Sequence, residues 1–211
     1  MTPRIFTRRA ALVATTATAA LVLAACGGGS GRSGHDSASS SSGAAATAGA
    51  HNAQDVSFAQ SMIPHHQQAL EMAQLAAGRA SSAQVKDLAS RIEKAQDPEI
   101  QTMSGWLKSW GEDVPMSHGS MGSMPGMDHS SHSGMPGMMD TKDMGELKKM
   151  SGEDFDAMFL TMMIEHHKGA VEMATTEKGK GKYGAATSMA DDIVTTQNAE
   201  ITEMNKLLGK G

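Results

Sequence analysis

Two histidine pairs dominate the chemistry that this chain could carry: His65-His66 and His166-His167. Around them a sixteen-residue stretch, Phe58 to Ala73, returns as Phe159 to Ala174 at a constant offset of 101 residues. The match continues without a gap through Gln96, Glu99, Ile100 and Met103, which answer to Gln197, Glu200, Ile201 and Met204. Two copies of one helical hairpin are the simplest explanation. On a helix, residues three and four apart share a face. Phe58, Met62, His65, Ala69 and Met72 form one stripe, and Ala59, Ile63, His66, Leu70 and Ala73 form its neighbour. Each histidine therefore falls within an otherwise apolar face. Met62 lies within reach of both members of its pair, and Met163 repeats the arrangement for His166 and His167. A buried imidazole needs hydrogen-bond partners or a metal. The plainer alternative is a set of satisfied core histidines with methionine as packing. Recurrence of the His-His pair, the upstream Met and the downstream Glu-Met in both copies points to ligands. Because only neutral imidazole binds a metal, retention by these pairs is expected to fall as pH drops through ~6.5.

A second concentration of ligand atoms lies between the copies. Residues 115–139 are rich in Gly, Ser and Pro, yet carry Met116, Met121, Met124, Met127, Met135, Met138 and Met139 with His118, His129 and His132. Methionine in a solvated loop buries nothing, so packing does not explain it. Thioether sulfur suits Cu(I), and imidazole suits Cu(I) or Cu(II). Methionine also needs no deprotonation and cannot pair oxidatively outside the cell. These residues are candidate copper ligands, with Cu(I) favoured and Cu(II) compatible.

The elements that must position these residues read as helices throughout. Helix one opens at Asn52, with Asp55 in its first turn, and is expected to stop at Gly78. Helix two follows a capping-box pattern at Ser81-Ser82-Ala83-Gln84, carries Trp106 and Trp110 beside its apolar stripe, and ends at Gly111. Helix three follows a similar pattern at Ser151-Gly152-Glu153-Asp154, and residues 178–182 form the turn to helix four. Pro64 and Pro98 interrupt copy one only, so neither is essential to the motif. Gln96 and Glu99 lie on or beside the buried face and could orient the histidines from behind. The expected fold is all-α, an antiparallel four-helix bundle of two repeated hairpins, 51–111 and 151–210, within a domain spanning 51–211. Residues 112–150 are expected to be a disordered Met/His-rich loop.

The first 25 residues have the form of a secretion signal: Arg4, Arg8 and Arg9 precede the apolar run Ala10 to Leu23. Leu23-Ala24-Ala25-Cys26 matches a bacterial lipoprotein cleavage box with Cys26 as the lipidated residue, and Thr7-Arg8-Arg9 resembles a twin-arginine export signal. Cys26 is the sole cysteine, so no disulfide forms within one chain. Residues 26–50 read as a disordered Gly/Ser/Ala tether. The expected location is the extracytoplasmic face of the cell membrane, held by lipid. Loss of the leader takes the formal charge from −5 to −8. An acidic, aromatic-poor surface argues against nucleic acid.

The Phe-x3-Met-Ile-x-His-His-x2-Ala-x-Glu-Met-Ala segments, the Gln-x2-Glu-Ile-x2-Met segments and the leader resemble the bacterial family known as domain of unknown function 305. That resemblance covers roughly residues 51–210. It implies a ferritin-like four-helix bundle and a metal role, since some members are copper-binding proteins of the envelope. By position it adds Met72, Met103, Met173 and Met204 to the ligand set of Met62, His65, His66, Met163, His166 and His167. Three functions compete. One is a copper-binding protein that sequesters the ion or hands it to another envelope protein. Another is a helical structural or interaction module with core histidines. The third is a di-iron oxidase, disfavoured because neither copy has Glu-x-x-His: Glu165 is followed three residues on by Lys168. A non-enzymatic role is expected.

Overall fold

The computed structural model describes residues 49–116 and 134–209. These residues form α1 (Ala53–Arg79), α2 (Ala83–Trp110), α3 (Thr141–Leu147), α4 (Gly152–Lys180) and α5 (Gly184–Leu207). α1 pairs with α2 and α4 with α5, and the two hairpins meet chiefly along α1 and α4. The architecture is the expected all-helical bundle of hairpins. None of the helices among the described residues is long and apolar enough to cross a membrane.

Local signals explain most helix ends. Asn52 caps α1: its side chain accepts from the N–H groups of Gln54 and Asp55, while its own N–H donates to Asp55 at 2.6 Å. Gly111 closes α2 in the left-handed region, at φ 77°. Both proposed capping boxes are corrected. Ser82, not Ser81, caps α2, because the Ser81 hydroxyl donates to Asp156 at 2.5 Å. Ser151 makes no side-chain cap bond, because Gly152 takes φ 68° where a capping box needs a helical residue.

α1 and α4 also run past Gly78 and Gly179, to Arg79 and Lys180. Their ends are set instead from the opposite repeat. The Asp156 carboxylate accepts from the N–H groups of Ser81 and Ser82, at 3.2 and 2.8 Å. Asp55 accepts from Lys182 and Tyr183 at the equivalent turn, at 3.0 and 2.8 Å. Each hairpin thus fastens the turn of the other. The symmetry breaks beside Asp55, where fully buried Glu177 stands in place of Ala76. Burial first, and the Asp55 carboxyl second, push Glu177 up to about 8.

The core has two lobes. One holds Ala69, Met72, Leu88, Ile92, Phe155, Phe159 and their neighbours; the other holds Phe58, Ile63, Leu107, Ala174, Ala190 and Ile193. The start of α1 packs with the end of α4 in the second lobe, and the reverse holds in the first, so the two helices are antiparallel. The histidine pairs fall at the boundary between the lobes in both helices.

The expected disordered loop over 112–150 needs correction for part of its length. Asp140 caps α3 by accepting the N–H of Asp143, and α3 buries Met144 and Leu147 in the first lobe. Met144 and Leu147 are three apart, so one short helical turn seats both.

Candidate metal centre

All four histidines are fully buried: His65, His66, His166 and His167 each expose 0% of their surface. α1 and α4 bring the two copies together, and the His65 and His166 rings lie with centroids 3.7 Å apart. His66 Nε2 stands 2.7 Å from Glu99, and His167 Nε2 stands 2.7 Å from Glu200. An ionised carboxylate only accepts, so both Nε2 atoms carry the proton and both Nδ1 atoms present lone pairs. His65 Nε2 donates to the Pro136 carbonyl at 3.1 Å, which frees its Nδ1 in the same way. Among the described residues no group pairs with Nδ1 of His65, His66 or His167, nor with either ring nitrogen of His166.

Five unpaired ring nitrogens are expensive as packing. Each buried polar atom without a partner costs about 1–3 kcal/mol, against about 5–15 kcal/mol for a whole domain. A metal ion or ordered water is what can complete such atoms. The carboxylate behind His66, and that behind His167, is also the arrangement that fixes tautomer and raises ligand basicity at metal sites. Glu99 and Glu200 therefore hold the orienting positions. Gln96 and Gln197 are buried beside them, and their Oε1 atoms have no partner.

Desolvation sets the protonation of His65 and His166. Burial, then the neighbouring His66, pushes His65 down to about 3. Burial and the surrounding imidazoles hold His166 well below its ordinary value. The expected acid release through ~6.5 is thereby corrected for His65, whose ring stays neutral well below that pH.

The methionines divide by lobe. Met62 and Met103 are buried in the second lobe, with partly buried Met173 packed against it. Met163, Met204 and Met72 are buried in the first. Each lobe thus draws its methionines from both repeats. Of the loop residues, Met116 is 69% exposed, Met135 and Met138 are half-buried, and Met139 packs against the first lobe. His118, Met121, Met124, Met127, His129 and His132 lie outside the described residues, as do the leader, Cys26 and the tether up to residue 48. Among the described residues no group of three or more His, Cys, Asp or Glu side chains stands ready to hold a metal ion. A metal ion held by the described residues alone would therefore need thioether sulfur or ring rotation beside the imidazoles.

Sequence reasoning missed the segment that covers the layer. Pro136 meets His65, and Gln68 grips Met139 through two hydrogen bonds, Nε2 to the carbonyl at 2.9 Å and Oε1 from the N–H at 2.8 Å. No periodicity announces contacts 71 residues apart.

The chain is similar to several proteins of known structure. A DUF305 protein from Streptomyces coelicolor is 31% identical, with a TM-score of 0.64 over 74% of this chain and 93% of that one. A DUF305 fragment from Deinococcus radiodurans is also 31% identical, with a TM-score of 0.63 over 76% and 98%. CopM in its Cu(I)-bound form is 31% identical, with a TM-score of 0.58 over 72% and 94%. CopM has also been solved with Cu(II) and with silver. No curated protein matches the chain. The model of the domain of unknown function DUF305 matches residues 55–208, and the chain belongs to that family.

Proposed function

We propose that this protein binds copper through the histidine layer and sequesters the ion or hands it on, without catalysing a reaction. One observation carries this reading: four fully buried imidazoles meet with five ring nitrogens unpaired among the described residues, two of the rings held by carboxylates. Imidazole nitrogen combined with thioether sulfur suits Cu(I) best and accepts Cu(II). The copper-bound forms of CopM support copper as the ion. The Met/His-rich segment from Met116 to Met139 would add weaker Cu(I) sites, and the lipoprotein box at Cys26 would tether the domain outside the cytoplasmic membrane.

The rival reading, a helical module whose histidines are only core, is favoured by the lack of a ready-made cluster of His, Cys, Asp or Glu among the described residues. Metal analysis of protein purified without an affinity tag separates the readings. Bound copper supports the proposal, iron supports an oxidase, and protein free of any metal after copper exposure favours the core module.

A further inference from the structure

We infer that position 68/169, where the repeats differ, docks the strap Met135–Met139 over one side of the histidine layer, and that copper reaches and leaves the layer beneath this strap. The route rests on the copper reading of the same site; the docking does not.

Gln68 and Gly169 are equivalent at the 101-residue offset, yet they hold the strap by opposite means. Gln68 offers a long amide that pairs with both backbone groups of Met139. Gly169 offers space: a Cβ there would lie 2.0 Å from the Pro136 carbonyl oxygen. Gly137 completes the fit. It takes φ 77°, and a Cβ on it would lie 2.7 Å from the Glu165 carbonyl oxygen. A symmetric pair, Gln with Gln or Gly with Gly, would provide only one of the two holds. The strap therefore binds in a single orientation across the pseudo-two-fold relation of the repeats.

The consequence at the layer is asymmetric. The Pro136 carbonyl accepts from His65, while neither ring nitrogen of the equivalent His166 has a partner among the described residues. Beside the strap, a groove of about 210 Å³ is lined by Pro136 with Phe58, Ser61 and Met173 among others. Phe58 and Ser61 lie one to two turns ahead of His65 on α1, and Met173 lies on α4. The groove is thus walled by the strap residue whose carbonyl holds His65. Lifting Pro136 frees His65 Nε2 and joins the groove to the layer. Met135 and Met138, half-buried within the strap itself, put thioethers along this route.

The test uses the full chain with Gln68→Ala and Gly169→Ala. Gln68→Ala removes two hydrogen bonds from outside the helix and leaves the α1 backbone alone, so it serves if Gly169→Ala fails to fold. Modification of His65 by diethylpyrocarbonate, located by peptide mass mapping, is followed in the metal-free protein. Transfer of Cu(I) to a chromophoric chelator is followed in the loaded protein. Both rates should rise about tenfold or more in a variant of unchanged helicity, the scale set by losing two neutral hydrogen bonds. Unchanged His65 modification in a folded Gln68→Ala variant would overturn the docking. Faster modification with unchanged copper transfer would overturn the route. Faster modification in a protein that binds no copper would leave the docking standing and defeat the copper reading.

Discussion

His65 and His166 lie ring on ring, 3.7 Å between centroids, where the first helix of each repeat crosses the other. The contact joins two residues that are equivalent in sequence, so it lies close to the axis relating the hairpins. It also places two imidazoles where burial opposes a charge on either and where charges on both would repel. Such a pair stays neutral and keeps its lone pairs available for a metal.

The carboxylates behind the outer histidines should tune affinity without carrying the fold. Glu99→Gln and Glu200→Gln keep shape but weaken the acceptor facing His66 and His167. Each should lower copper affinity about 10–100-fold, as loss of an orienting carboxylate does at metal sites. Competition titration against a copper chelator measures this, and unchanged affinity in both variants would make the glutamates mere helix edge.

The cross-repeat clamps should carry stability instead. Asp156→Ala strands the Ser81 and Ser82 N–H groups, at a cost of about 1–3 kcal/mol. Urea denaturation should show this loss while copper stoichiometry is retained.

Acid should destabilise the metal-free protein before it protonates folded His65. An unfolded histidine titrates near ~6.5, whereas folded His65 resists protonation down to about 3. Between those values only the unfolded chain takes the proton, so stability falls as pH drops from ~6.5 toward 3. Denaturation midpoints across that range should decline less steeply in His65→Asn than in the parent protein.

Glu177 works in the opposite direction. Its carboxyl rises from 4.5 to about 8 on folding, so the folded state holds a proton that the unfolded state releases. The associated stability is complete below 4.5 and is lost as pH rises through about 8. Glu177→Gln, which mimics the protonated form, should flatten that alkaline decline. An identical decline in the variant would show that Glu177 is not the titrating group.

The histidine pairs and their glutamates were legible in sequence because the 101-residue offset presents each of them twice, on helical faces of fixed period. The strap was not, because its signal is a difference between repeats. Gly169 by itself reads as a weak helix residue, and only the Pro136 carbonyl lying against it gives the missing Cβ a purpose. Asp55 was visible as a first-turn carboxylate, but its hold on the Lys182-Tyr183 turn depends on which helices meet. α3 was hidden because seven residues with two buried side chains are too short for a periodic pattern.

The central claim is that the buried histidines, rather than the Met/His-rich segment, hold copper tightly. Its most direct test is Cu(I) stoichiometry at neutral pH in a chain with His118, Met121, Met124, Met127, His129 and His132 replaced by Ser, compared with the same chain also carrying His65→Ala and His166→Ala. The first protein should retain tightly bound copper under chelator competition, and the second should lose it while remaining helical by circular dichroism. Equal copper in the two folded proteins would contradict the claim and leave the four histidines as core residues.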